Sequence, residues 1–139
     1  MRNDNVNHPS HYTSGPFECI ELTSRYPFLG GNAIKYVYRW QGKNGLEDLR
    51  KALWYLNRAK EESLYPLDSF VPPYCYFHMD DESVHMLRKL ARLNWQNMRG
   101  FWKGMSELAC DHKSGYTRAK KTLERRIRLL ESMLTDEEQ

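Results

Sequence analysis

Leu46, Leu49, Leu53, Leu56 and Ala59 recur three or four residues apart through a stretch that contains neither proline nor glycine. This is the period of one face of an α-helix, not the two-residue alternation of a half-buried strand. A helix over Leu46–Ser63 has to bury that stripe, because packing of an apolar face supplies most of a helix's stability in water. The preceding segment offers a partner in Ala33, Ile34, Val37, Tyr38 and Trp40. A helix from Asn32, capped at its C-terminal end by Gly42, is therefore expected to fold back on Leu46–Ser63 across an Asn44-Gly45 turn.

The rest of the chain follows the same period with interruptions. Met1–Ser14 has none and reads as an arm. Pro16 suits a first helical turn, so a short helix over Phe17–Arg25 is expected to end near Tyr26-Pro27, followed by a loop at Phe28–Gly31. Pro66, Pro72 and Pro73 lie among Tyr65, Phe70, Tyr74, Tyr76 and Phe77. Leu64–Met79 is thus an irregular connection packed on the core, with room for a short strand near Tyr74–His78. Asp80 or Asp81 then caps one long helix whose stripe runs from Val84 through Leu90, Met98 and Met105 to Leu108. Gly100 and Gly104 weaken this helix and permit close approach by another. After a turn at His112–Gly115, Tyr116, Leu123, Ile127, Leu130 and Leu134 form the face of a last helix.

The expected fold class is all-α: a compact helical domain of about three N-terminal helices with an appended C-terminal helical hairpin. Residues 1–65 carry the chemistry, and residues 66–139 the aromatic connection and hairpin, the two packed as one domain. At 139 residues the chain is about one domain long.

Several classes are excluded. No apolar run approaches the roughly 18 residues of a membrane span, and Met1–His8 has no signal-peptide core, so a cytoplasmic location is expected. Cys19, Cys75 and Cys110 form no C-x-x-C pair and read as reduced packing residues. Net charge is +3, yet Lys113–Arg128 holds 7 basic side chains against Glu124 alone, ahead of an acidic tail. That excess reads as a solvated face, and nucleic acid is not expected as a partner. G-x-x-x-x-G-K-[ST], G-x-G-x-x-G, H-E-x-x-H and G-x-S-x-G are all missing, which excludes a P-loop NTPase and leaves metalloprotease and serine hydrolase readings without support.

What remains is cationic. Lys35, Arg39 and Lys43 stand at i, i+4 and i+8, with Asn32 on the same face. Like charges so spaced repel by a few tenths of a kcal/mol per pair unless an anion lies along them. Glu18, Glu21, Glu47 and Asp48 would serve in a salt-bridge network; a phosphate would serve equally well. His8, Ser10, His11 and Tyr12 crowd the arm, and Gly30-Gly31-Asn32 places free amides at an expected helix N-terminus, which favours an anion.

HPSHY at His8–Tyr12, ECIE at Glu18–Glu21, GNAIKYVYRWQGKN at Gly31–Asn44 and LEDLRKALWYL at Leu46–Leu56 together resemble the SaV-like phage and prophage domain, a domain of unknown function. The resemblance spans roughly residues 6–60. The family includes an early phage nucleotide kinase that acts on deoxynucleoside monophosphates without a Walker motif, as an oligomer and without a metal. The resemblance therefore implies a phage- or prophage-encoded nucleotide-binding protein, possible kinase activity, a homo-oligomer and no cofactor. It implies catalytic roles for His11, Lys35 and Arg39, and substrate binding by Ser10, Tyr12, Asn32, Lys43, Asp48 and Lys51. Lys35, Arg39 and Lys43 would clamp phosphates, His11 would orient or deprotonate the acceptor, and Tyr12 or Tyr36 would stack on the base.

Two alternatives stand beside it. The layout is also similar to the all-α nucleotide pyrophosphohydrolases, whose paired E-x-x-E and E-x-x-D hold Mg²⁺. Glu18 and Glu21 fit the first half, but Lys51 stands where the second needs a carboxylate, so Mg²⁺ is expected only if Glu18 and Glu21 bind it. The third reading is an interaction protein that inhibits a host defence or polymerase through its C-terminal hairpin, with a host protein as partner.

Overall fold

A computed structural model of the chain describes residues 15–63 and 79–138. Among these residues the fold is all-α. Its helices are α1 (Cys19–Thr23), α2 (Phe28–Arg39), α3 (Leu46–Ser63), α4 (Asp81–Arg92), α5 (Arg99–Ala109) and α6 (Ser114–Glu138), with single 3₁₀ turns at Trp40–Gly42 and Trp95–Asn97. The arm with His8, Ser10, His11 and Tyr12, and the aromatic connection with its expected strand near Tyr74–His78, lie outside the described residues.

Of the stripe Leu46, Leu49, Leu53, Leu56 and Ala59, the residues Leu49, Leu56 and Ala59 are buried, joined by Ala52, in one core with Ala33, Ile34, Val37 and Tyr38 of α2, while Leu46 and Leu53 are half-buried at its edge. That core continues without a break into Leu87 and Leu90 of α4, Phe101, Trp102 and Met105 of α5, and Ala119 and Leu123 of α6. α3 also docks on α6, where the Tyr116 hydroxyl donates to Asn57 Oδ1 at 2.7 Å and Arg50 meets Glu131 at 3.6 Å.

The bounds of α1 and α2 differ from the expectation. α1 is shorter than Phe17–Arg25: Glu21 reaches back to the Glu18 amide (3.1 Å), fixing the start at Cys19. α2 begins at Phe28, so Gly30 and Gly31 are helical and buried rather than a loop. A Cβ on Gly30 would lie 3.1 Å from the Tyr26 ring, and one on Gly31 would lie 3.1 Å from the Thr23 carbonyl. The glycines let the α1–α2 turn close onto the helix.

The expected long helix is two, so the C-terminal half is three helices, not a hairpin. Asn94, Gln96 and Asn97 adopt left-handed φ values of 48°, 57° and 59°. Asparagine enters this region more readily than most residues. Three indoles hold the break: Trp102 donates to the Trp95 carbonyl, Trp40 to that of Gln96, and Trp95 to that of Tyr38, all within 2.9–3.0 Å. Asp80 caps α4 as expected, accepting the Ser83 amide at 2.9 Å. Gly104 and Gly115 bring α5 and α6 into backbone contact; a Cβ on Gly104 would lie 2.5 Å from the Gly115 carbonyl.

Candidate functional site

α2 buries Ala33, Ile34, Val37 and Tyr38, which turns Asn32, Lys35, Tyr36 and Arg39 toward its other side. The phenol of Tyr38, donating to the Phe17 carbonyl, and its ring, 5.4 Å from that of Trp95, fix the rotation of the helix. Across from α2, α3 presents Asp48, Lys51 and Tyr55. The Tyr36 and Tyr55 rings stack with centroids 5.8 Å apart and 16° between planes.

Three cations gather on Tyr36. The Lys35 amine lies 4.6 Å from the ring centroid, the Arg39 guanidinium 4.9 Å and the Lys51 amine 5.5 Å. Each contact is of the cation–π kind, about 0.5–1 kcal/mol at exposed sites. Lys35 and Arg39 come from one helix at i, i+4, and Lys51 from its partner.

The cations differ in what else holds them. Arg39 has a side chain 11% exposed and reaches Asp48 Oδ1 at 3.4 Å, while the Asp48 carboxylate, fully buried, also accepts the Asn44 amide at 3.1 Å. This pair braces the end of α2 against the start of α3. Lys51 is half-exposed and pairs with Glu47 at 3.3 Å, one turn away, which is worth only a few tenths of a kcal/mol. Lys35 has no ion pair among the described residues.

Lys43 is not part of the gathering. The α-helix ends at Arg39, and after the 3₁₀ turn Lys43 has φ −134° and ψ −102°, so the i, i+4, i+8 ladder stops at its second rung. Asn32 turns its amide onto the Phe28 carbonyl (2.8 Å) and lines, with Lys35, a shallow depression of about 170 Å³. That is room for a phosphate and less than the roughly 300 Å³ of a typical small-molecule site. The amide of Gly31 is bonded to the Pro27 carbonyl at 2.9 Å, so the expected anion site at Gly30-Gly31-Asn32 loses that donor. The catalytic candidate His11 and the binding candidates Ser10 and Tyr12 lie outside the described residues.

An aromatic rim was not anticipated from the sequence. Phe28 and Trp54 are 73% and 59% exposed, and both meet the Tyr55 ring edge-on, at 6.1 and 5.1 Å. Large aromatics left in water beside lysines offer a stacking surface. The available signal is that Trp54 and Tyr55 fall off the apolar stripe of α3.

A larger cleft of about 560 Å³ lies elsewhere, between α1 and α4, lined in part by Glu21, Arg25, Glu82, His85 and Lys89. Its charges are mixed and cross-paired, with Arg25 3.4 Å from Asp80 and 3.3 Å from Glu82. It favours neither sign of ligand, so the cationic face is the stronger candidate despite its smaller volume. Burial pushes the Cys19 thiol up to about 12, against the pull of Lys35 and Arg39. Among the described residues no group of three or more His, Cys, Asp or Glu side chains is placed to hold a metal ion, and no helix is long and apolar enough to cross a membrane.

A family model described as a protein of unknown function, DUF3310, matches residues 6–57. The match takes in α1, α2 and two-thirds of α3, the elements that build the cationic face. No curated protein and no solved structure matches the chain.

Proposed function

We propose that the α2–α3 face binds a nucleotide, with its phosphate on Lys35 and Lys51 and its base against the Phe28–Tyr55–Trp54 rim. The observation that carries this reading is the convergence of Lys35, Arg39 and Lys51 on Tyr36, beside aromatic rings left exposed. A phosphate answers the charge of Lys35 and the exposed, loosely paired charge of Lys51; a base answers the exposed rings.

Arg39 takes a different part from the one its spacing suggested. Held by Asp48, it keeps Tyr36 and the helix ends in register and adds positive potential without leaving its partner. The resemblance to the SaV-like domain supports nucleoside monophosphate kinase activity at this face. Phosphoryl transfer asks chiefly for positioning and for positive charge on the phosphoryl oxygens, and lysine amines supply both.

The test is a panel of nucleosides, nucleoside monophosphates and triphosphates, with Mg²⁺ or EDTA, followed by binding and by chromatography of products. Monophosphates are expected to bind where nucleosides do not, and a monophosphate with a triphosphate donor to yield diphosphates under both conditions. Binding without turnover retains the nucleotide site and removes the kinase. No binding of any nucleotide removes both.

A further inference from the structure

We propose that the outer face of α6 docks the phosphodiester backbone of double-stranded nucleic acid. The helix turns Gly115, Ala119, Leu123 and Ile127 inward, which leaves Lys121, Arg125 and Arg128 at i, i+4 and i+7 on the opposite, exposed side. None of these three has an ion pair among the described residues. Their neighbours are used differently: Arg118 meets Glu107 at 2.9 Å, and Arg126 donates to the Asn97 carbonyl at 3.1 Å. Glu124, the acid of this stretch, is half-buried and stands one turn from both Lys121 and Arg128, yet forms no ion pair with either among the described residues.

The fold therefore sorts the basic excess of residues 113–128 into a row. At 1.5 Å rise per residue, Lys121 and Arg125 stand about 6 Å apart along the axis, and Arg125 and Arg128 about 4.5 Å. Repulsion among such neighbours, eased in part by Glu124, falls further when a line of negative charge lies against them.

The company of the cations identifies the partner. Ser114 and Thr117 share the exposed side, and small hydroxyls with Arg and Lys are the usual contacts to phosphate oxygens. A protein partner would need an aromatic or apolar anchor at the centre of the patch. Between Lys121 and Arg128 the exposed side has none; the exposed apolar residues Leu129, Met133 and Leu134 follow C-terminal to Arg128. Single strands are held by stacking on aromatic rings. The one aromatic on α6, Tyr116, is half-buried with its hydroxyl on Asn57. A duplex, bound by its backbone, asks for neither.

The test is fluorescence anisotropy of the full chain with a labelled 20-base-pair DNA duplex, the matching single strand, and polyglutamate as competitor, from 50 to 200 mM salt. Three phosphate contacts at about 0.9 each give a log–log salt slope near −2.7. The variants K121Q/R125Q/R128Q and K121E/R125E/R128E are expected to lose at least tenfold in duplex affinity, with unchanged helical circular dichroism and unchanged mononucleotide binding. The proposal is overturned by duplex affinity equal in wild type and both variants, by single strand binding more tightly than duplex, or by displacement with polyglutamate at equal charge.

Discussion

The Arg39 guanidinium lies 3.4 Å from the Asp48 carboxylate, and that carboxylate is wholly removed from water. The pair joins the last turn of α2 to the first turn of α3, and the stacked Tyr36–Tyr55 rings span the same two helices beyond it. Removing one partner strands a buried charge. Asp48→Ala is expected to lower stability by about 3 kcal/mol, read as a reduced urea midpoint. Replacing both residues with apolar ones, Arg39→Met with Asp48→Leu, is expected to recover most of that loss. A single variant as stable as wild type would show that the pair is not bracing the hairpin.

Glycines at two sites should respond in opposite directions. At Gly104 an added Cβ meets backbone atoms of α6 at 2.5 and 2.7 Å, whereas at Gly42 it meets nothing within 4 Å. Gly104→Ala gains about 1 kcal/mol of helix propensity but must push two helices apart, and a net loss of about 2 kcal/mol is expected. Gly42→Ala is expected to gain about 0.5 kcal/mol by restricting the unfolded chain. Thermal melts of the two variants check the sign of each.

Cys19 makes stability fall in alkali. Its folded pKa is raised from 9.0 to about 12, first by burial. The folded state thus keeps the proton that the unfolded state loses, so this contribution is complete below pH 9 and decreases as pH rises toward 12. The slope approaches about 1.4 kcal/mol per pH unit. Urea titrations from pH 8 to 10.5 are expected to show a steeper decline in wild type than in Cys19→Ala, and parallel curves would contradict the burial of the thiol.

The end of α2 at Arg39 separates Lys43 from Lys35. Lys43→Ala is expected to change nucleotide affinity less than twofold, whereas Lys51→Ala weakens it about tenfold, or 1.4 kcal/mol. Equal losses in a titration would restore the three-rung ladder read from the sequence.

Legibility followed how local each cause is. The Leu46–Ser63 helix was readable to its ends because its stripe, its acidic first turn and the Asn44-Gly45 turn all agree. Gly30-Gly31 misled, since glycine usually ends a helix; the reason it continues one is Tyr26, packed on the helix surface. The break at Asn94–Asn97 carries neither glycine nor proline and depends on two indoles, Trp40 and Trp102, donating to the loop and on its own Trp95 donating to the Tyr38 carbonyl. In the site, Lys35 and Arg39 followed from spacing, and Lys51 came only through the resemblance. The stacking of Tyr36 on Tyr55 depends on how two helices meet, which periodicity does not specify.

The nucleotide site is tested most directly by calorimetric titration of nucleoside monophosphates into wild-type protein and Lys35→Ala, whose side chain touches no carboxylate among the described residues. The account predicts saturable binding by wild type, about tenfold weaker binding by the variant, and none by the corresponding nucleosides. Equal affinity of the two proteins, or nucleosides binding as well as their monophosphates, would contradict it.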